Sequence, residues 1–442
     1  MNRNLPRAAA AALILLWGAK ASAEDLIDIY NAAVDNDPVF QSQALTLKAE
    51  QEGPASARSG LLPNVRLYAA RARYDEEVTG PGAVGAAGSA DYDANEYGFN
   101  VTQTIYNRER LLNYEQAKLR RQAAETDFLQ AQQDLIVRVV DRYLAVLAAE
   151  DNLELAIAER RAIFRQLELA RSRLEVGLGT STDLHDAMAR YELAQAQEIR
   201  AQQTLEDANQ ALEELIGRRV ETLAPLDLDS PLTPPSPEDS AEWVQRAEQG
   251  NLDLISAGLN EEVSRREVSR QKARRMPSLD LVVNHDVGDN DGSIAGGDVE
   301  RSATVARLQL ELPIYQGGGI SADSRAASYR YQAAGQQTES ALRGAIRNAR
   351  SSYLEVITSV REATALDQAV VASEKALESR QEGYEAGLNT NLDVLDAQRD
   401  LFQARRDYLS ARYRYINNKL QLYSVAGELG IEDLETVNDW LE

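Results

Sequence analysis

A chain of 442 residues with a formal charge of −23 and no cysteine excludes several function classes at once. Disulfide scaffolds, thiol enzymes and zinc–thiolate sites are ruled out, and so large an acidic surplus opposes nucleic-acid binding, which rests on neutralising phosphates. Aromatics are 6% of residues, and Ala, Leu, Gln, Glu and Arg abound, the profile of long helices.

Arg3 and Arg7 precede an apolar run from Ala8 to Trp17 and the small-residue site Ala21-Ser22-Ala23. This pattern predicts a signal peptide over 1–23, leaving a mature chain that starts at Glu24. The run is shorter than the ~20 residues of a spanning helix, and no later segment reaches that length. The exported chain is therefore soluble or crosses a membrane as a β-barrel, which also satisfies every backbone group in lipid.

The first structural repeat is expected over 24–222. Short helices run from Asp25 to about Ser59, broken at Asp37-Pro38. Strands follow over 61–75 and 95–107. In the second, Tyr97, Phe99, Val101 and Ile105 alternate with polar residues. In the first, Val65 and Leu67 set one phase and Ala70, Ala72 and Tyr74 the other, so a bulge is expected near Ala69-Ala70. A long helix over 108–177 carries Phe128, Ala131, Leu135, Val139, Tyr143 and Val146 in steps of three and four. Proline-free, it would extend ~100 Å. Gly177-Leu178-Gly179 ends it, and Thr180 with Asp183 restarts the chain as a helix over 181–217. A proline-rich linker over 223–237 leads to the second repeat, 238–430. This has strands over 276–287 and 302–315 and helices over 321–386 and 391–426. Gly387-Leu388-Asn389 forms its turn and Thr390 with Asp393 its cap. A tail covers 431–442.

The second unit copies the first. Gly177-Leu178-x-Thr180-x-x-Asp183 answers Gly387-Leu388-x-Thr390-x-x-Asp393, Tyr143-Leu144 answers Tyr353-Leu354, and Gly217 answers Gly427, all 210 residues apart. Chance likeness between helices would not hold register so far. Each strand has about the ten residues of a membrane strand. Four strands cannot close a barrel, which needs about eight, so the chain must oligomerise. Three copies would supply twelve strands. The fold class expected is mainly α with a membrane β-barrel portion: a two-fold internal repeat, α-helical hairpins forming an α-barrel, and four strands per chain entering a trimeric 12-stranded barrel.

The sequence resembles the TolC outer-membrane channels across essentially the whole mature chain. The resemblance rests on Asp25-Leu26-x-x-Ile29-Tyr30, Asn36-Asp37-Pro38, Leu61-Leu62-Pro63 and Leu312-Pro313-Ile314-Tyr315-Gln316-Gly317-Gly318. The two hairpin turns and Ala411-Arg412-Tyr413-x-Tyr415-Ile416-x-Asn418 add to it. It implies a homotrimer in outer-membrane lipid with a large periplasmic portion, a passive exit duct for tripartite efflux or type I secretion. Such a duct is opened at its helical tip by docking to a periplasmic adaptor, with an inner-membrane pump or ABC exporter acting indirectly. The lack of cysteine fits the non-lipidated branch. The alternatives are a periplasmic coiled-coil scaffold, which would not need the amphipathic strands, and an outer-membrane factor for metal cations, which would want more Met, His or Cys.

Asp393 and Asp396, three residues apart, can share a helix face and form stacked carboxylate rings in a trimer. By resemblance they sit where the family carries its constriction. Helix capping is the competing account, since Asp183 and Asp186 repeat the spacing. The turns Gly177, Leu178, Gly179, Thr180, Asp183 and Gly387, Leu388, Asn389, Thr390 are the expected docking tips. Resemblance also implies a tip latch with Tyr384 as its tyrosine, but Asn389 stands at the family's arginine position, which leaves room for a weaker, hydrogen-bonded latch in place of an ionic one. His185 and His285 are isolated, and Gly80-x-Gly82-x-x-Gly85 opens no helix. Asp289, Asp291 and Gly292 lack the flanking helices of a calcium loop. No catalytic residue, cofactor or metal site is expected.

Overall fold

The computed structural model describes residues 23–78, 88–227, 230–292 and 297–441. The expected signal run and the Gly80–Gly85 motif lie outside them.

The chain begins with α1 (Leu26–Asn36) and α2 (Pro38–Ser59). Asp37 separates them because Pro38 supplies no N–H, and the Asp37 carboxylate accepts instead from the amides of Val39 and Phe40. Strands β1 (Asn64–Val78) and β2 (Gly88–Tyr106) follow, then α3 (Arg108–Glu175) and α4 (Ser181–Ile216). Past the linker come α5 (Ser240–Gly250), α6 (Leu252–Ala273), β3 (Ser278–Asn290), β4 (Val299–Glu311), α7 (Gly319–Glu385), α8 (Asn391–Ala426) and α9 (Ile431–Asn438). Among the described residues no helix is long and apolar enough to cross a membrane.

The strands form one antiparallel meander, β1-β2-β3-β4. Pairing aligns Leu67 with Phe99 and His285, and Val65 with Val101, Val283 and Ala306. That face is mostly apolar on the side nearer the helices, with His285 paired to Thr304 within it. The other carries polar cross-links: Tyr68 donates to Asp286, Asn100 to Asn284 and Thr104 to Asp280. Gly98 lies between Tyr68 and Asp286, and a Cβ there would stand 2.9 Å from the tyrosine oxygen.

Two expectations need correction. The β1–β2 ladder runs unbroken from Asn64 to Val78, without a bulge at Ala69-Ala70. Alanine suits either face, so the change of hydrophobic phase needs no backbone slip. The irregularity lies instead between Thr104 and Tyr106, where β2 meets β3. The strand expected over 302–315 stops at Glu311. Its counterpart β2 reaches Tyr106, but Pro313 lacks the donor that would extend the ladder.

Below the sheet α2, α3, α6 and α7 lie side by side, and farther down α4, α3, α8 and α7. Buried Ala149, Ala156, Ile163 and Ala170 of α3 and Ala187, Ala194 and Ala201 of α4 recur every seven residues. That period keeps one seam facing its partner, and alanine lets the backbones approach. At mid-height the largest core cluster gathers Leu26, Ile29, Val139, Tyr143, Leu212, Trp243, Tyr415 and Leu434 around α3 and α8. The linker is tied into this belt. The Tyr143 hydroxyl donates to the Ala224 carbonyl at 2.8 Å, and Tyr415 donates to the Thr233 carbonyl at 3.0 Å. The C-terminal segment belongs to it as well: Asn438 Oδ1 accepts from the Leu26 and Ile27 amides.

Candidate functional site at the hairpin tips

Both hairpins turn in the same way. Gly177 and Gly387 take φ of 74° and 76°, the left-handed region that favours glycine. The amides of Leu178 and Gly179 donate to the Arg173 carbonyl, and those of Leu388 and Asn389 to the Gly383 carbonyl. Capping boxes then start α4 and α8: the Asp183 and Asp393 amides donate to Thr180 and Thr390 Oγ1, and each aspartate accepts the threonine amide in return. Leu178 is 81% exposed and Leu388 84%, so each turn presents one bare leucine.

The tips differ in what fills the inside of the turn. Asn389 donates to the Arg380 carbonyl at 3.3 Å, over Gly383, where a Cβ would meet the amide nitrogen at 2.2 Å. In the first hairpin the counterparts are exchanged, with Arg173 on the helix and Gly179 in the turn. Each turn has room for one side chain.

Near the tips, four contacts among the described residues bind the second hairpin to the first. The Arg173 guanidinium lies over the Tyr384 ring at 4.2 Å. Arg190 Nη2 sits 2.8 Å from Asp396 Oδ1. Gln166 donates to the Asn391 side-chain oxygen, and Asn391 Nδ2 donates to the Asp183 carbonyl at 3.3 Å. Asn391 is 2% exposed, so it and Gln166 form a buried amide pair beside Leu395, Ile163 and Leu167. Pairing satisfies groups that would be costly to bury alone.

The aspartates are engaged as well. Asp393 Oδ1 accepts from Arg380 at 2.9 Å while its other oxygen serves the cap. The Thr390 hydroxyl first, then the Thr390 amide and Arg380, hold its carboxyl below the usual carboxylate range. Asp396 faces Arg190 and, at 3.5 Å, Arg399. Tyr384 is thus held by Arg173, and Asn389 bonds only within its own hairpin among the described contacts.

Gln166, Arg173, Arg190, Arg380 and Asn391 were not foreseen. Arg380 was within reach: it and Asp393 are symmetric about the turn, and the first repeat has Ala170 there. The contacts between hairpins follow from helix packing and leave no spacing signal in one chain. His185 is exposed and outside this network, and His285 lies on the sheet 2.8 Å from Thr304 Oγ1.

A family model described as "Outer membrane efflux protein" matches residues 29–218 and 243–428, one match per repeat. The Vibrio cholerae protein named outer membrane protein TolC is 34% identical over 445 residues, covering 100% of this chain and 99% of that protein. The proteases secretion protein PrtF of Dickeya chrysanthemi is 29% identical, covering 97% and 94%. The crystal structure of the Campylobacter jejuni CmeC outer membrane channel superposes with a TM-score of 0.79 at 16% identity, covering 100% of this chain and 98% of that one.

Proposed function

The chain belongs to the outer membrane efflux protein family, and on that premise we propose that three copies close one transperiplasmic duct, gated at its hairpin tips. The protein is an outer-membrane exit duct of the efflux and type I secretion kind. Its family is one of channels, not of enzymes. The finer reading rests on one observation: a four-stranded sheet with two unpaired edges, β1 and β4, continues into four parallel columns of helix. Joining those edges between copies removes them, and three copies reach twelve strands, enough to close a barrel. The apolar sheet face would meet lipid and the cross-linked polar face the lumen.

The tips are the docking surface for a periplasmic adaptor, with Leu178 and Leu388 as apolar contacts. An inner-membrane pump or exporter drives cargo through that adaptor. Asp393 and Asp396 line the constriction of the closed tip, and Tyr384 belongs to its latch.

Single-channel recording of the purified protein in a planar bilayer tests this. The wild type gives a small conductance, which changes in Asp393→Asn/Asp396→Asn. Leu178→Asp/Leu388→Asp keeps the wild-type conductance yet abolishes efflux or secretion in cells. An assembled protein that never conducts would rule out the duct. Unchanged conductance in the aspartate variant would move the constriction elsewhere, and normal efflux in the leucine variant would move the docking surface.

A further inference from the structure

The two aspartates differ from bare carboxylate rings in one respect: each carries a guanidinium partner. Arg380 pairs with Asp393 at 2.9 Å and Arg190 with Asp396 at 2.8 Å. Three copies would therefore place one arginine beside each of these six aspartates. A further cation, Arg399, sits 3.1 Å from Asp400 and 3.5 Å from Asp396, and adds another balanced pair. The arrangement is specific to the second hairpin. The first repeat has Ala170 opposite Asp183 and Ala189 three residues after Asp186, where the second has Arg380 and Arg399.

We propose that Arg190 and Arg380 neutralise the constriction of this duct, and that Arg190 sets its ion selectivity by masking Asp396. The inference rests on the reading that Asp393 and Asp396 line the constriction. Selectivity at a charged ring follows its net charge, because a permeating ion meets the sum of the fixed charges around it. A carboxylate with a guanidinium at hydrogen-bond distance presents a dipole, whose field falls off faster than that of a charge. Arg190 belongs to α4 and Asp396 to α8, so the mask is lent by one hairpin to the other. Its nitrogen is also well placed to staple the hairpins together, and the test must separate the two roles.

The measurement is the reversal potential of single channels of the full-length trimer in a KCl gradient at low ionic strength, for wild type, Arg190→Gln, Arg190→Lys, Asp396→Asn and Arg190→Gln/Asp396→Asn. Removing Arg190 exposes three negative charges. The K⁺-over-Cl⁻ permeability ratio then rises roughly five- to seventyfold, from Coulomb attraction of K⁺ and equal repulsion of Cl⁻ at about 10 Å in water with and without screening. Arg190→Lys keeps the charge and stays near wild type. Arg190→Gln/Asp396→Asn returns close to the wild-type ratio.

A staple alone predicts the opposite sign. A loosened tip conducts more and discriminates less, and neutralising Asp396 would not restore the ratio. Arg380→Gln, on the same hairpin as its aspartate, raises the ratio too without removing an inter-hairpin contact. A ratio that stays flat in both arginine variants, while Asp396→Asn lowers it, would overturn the masking and leave the constriction standing. A ratio insensitive to every aspartate and arginine variant would overturn both readings.

Discussion

At the scale of single residues, the tip is governed by what fits inside a tight turn. Gly383 and Asn389 in one hairpin exchange roles with Arg173 and Gly179 in the other, and a Cβ on Gly383 would drive into the Asn389 amide. Gly383→Ala should expel that side chain and break its bond to the Arg380 carbonyl. Hydrogen exchange of the amides from Leu388 to Asp393 should then quicken. Asn389→Gly in the same chain re-creates the packing of the first hairpin and should restore protection. Failure of that rescue would mean that the turn is held by its capping box alone. Asn389 was legible as a departure from the family's pattern. What replaces the arginine was not, because a glycine six residues upstream matters only once the turn has closed over it.

At the scale of helices, two devices hold the columns in register. The alanine seam of α3 and α4 supplies close approach. Nearer the sheet, α3 and α6 are joined by charge: Arg266 bonds Glu115, and Arg270 bonds both Glu109 and Glu267. Arg270 above all, with Gln271 and Gln116, brings the Glu267 carboxyl down to about 2. A depressed carboxylate adds stability above its unfolded value and loses it as the pH falls through its folded one. The contribution of Glu267 is therefore complete above about 4.5 and gone near 2. Glu267→Gln should cost on the order of 1 kcal/mol at neutral pH, after screening of this partly exposed group. In thermal unfolding its midpoint should lie below that of the wild type at pH 7, and the difference should shrink towards acid. A constant difference would assign the loss to packing. Helix lengths, turns and both capping boxes could be read from glycine, threonine and the 210-residue repeat. Strand ends could not be read as well, since Pro313 stops β4 at a place where the repeat alone continues it.

At the scale of the whole molecule, the sheet edges and the belt decide how copies and termini come together. The alternation of Tyr97, Phe99 and Val101 announced the amphipathic sheet, and the unpaired edges announced partners. The belt was hidden, because its residues come from both ends of the chain and from a linker that reads as a connector. Leu434 and Val437 are fully buried against it, each worth about 1.5–3 kcal/mol. Deleting α9 and the residues after it should therefore leave monomers that a protease degrades, seen as loss of the chemically cross-linked oligomer on a gel. Wild-type amounts of oligomer would make the segment dispensable.

The cap that Asn438 places on α1 ties the fold to the direction of synthesis. Helix α1 has its opening amides satisfied by a side chain that is made more than four hundred residues later. Until then the belt has an open seam. A chain interrupted anywhere along its length keeps that seam open.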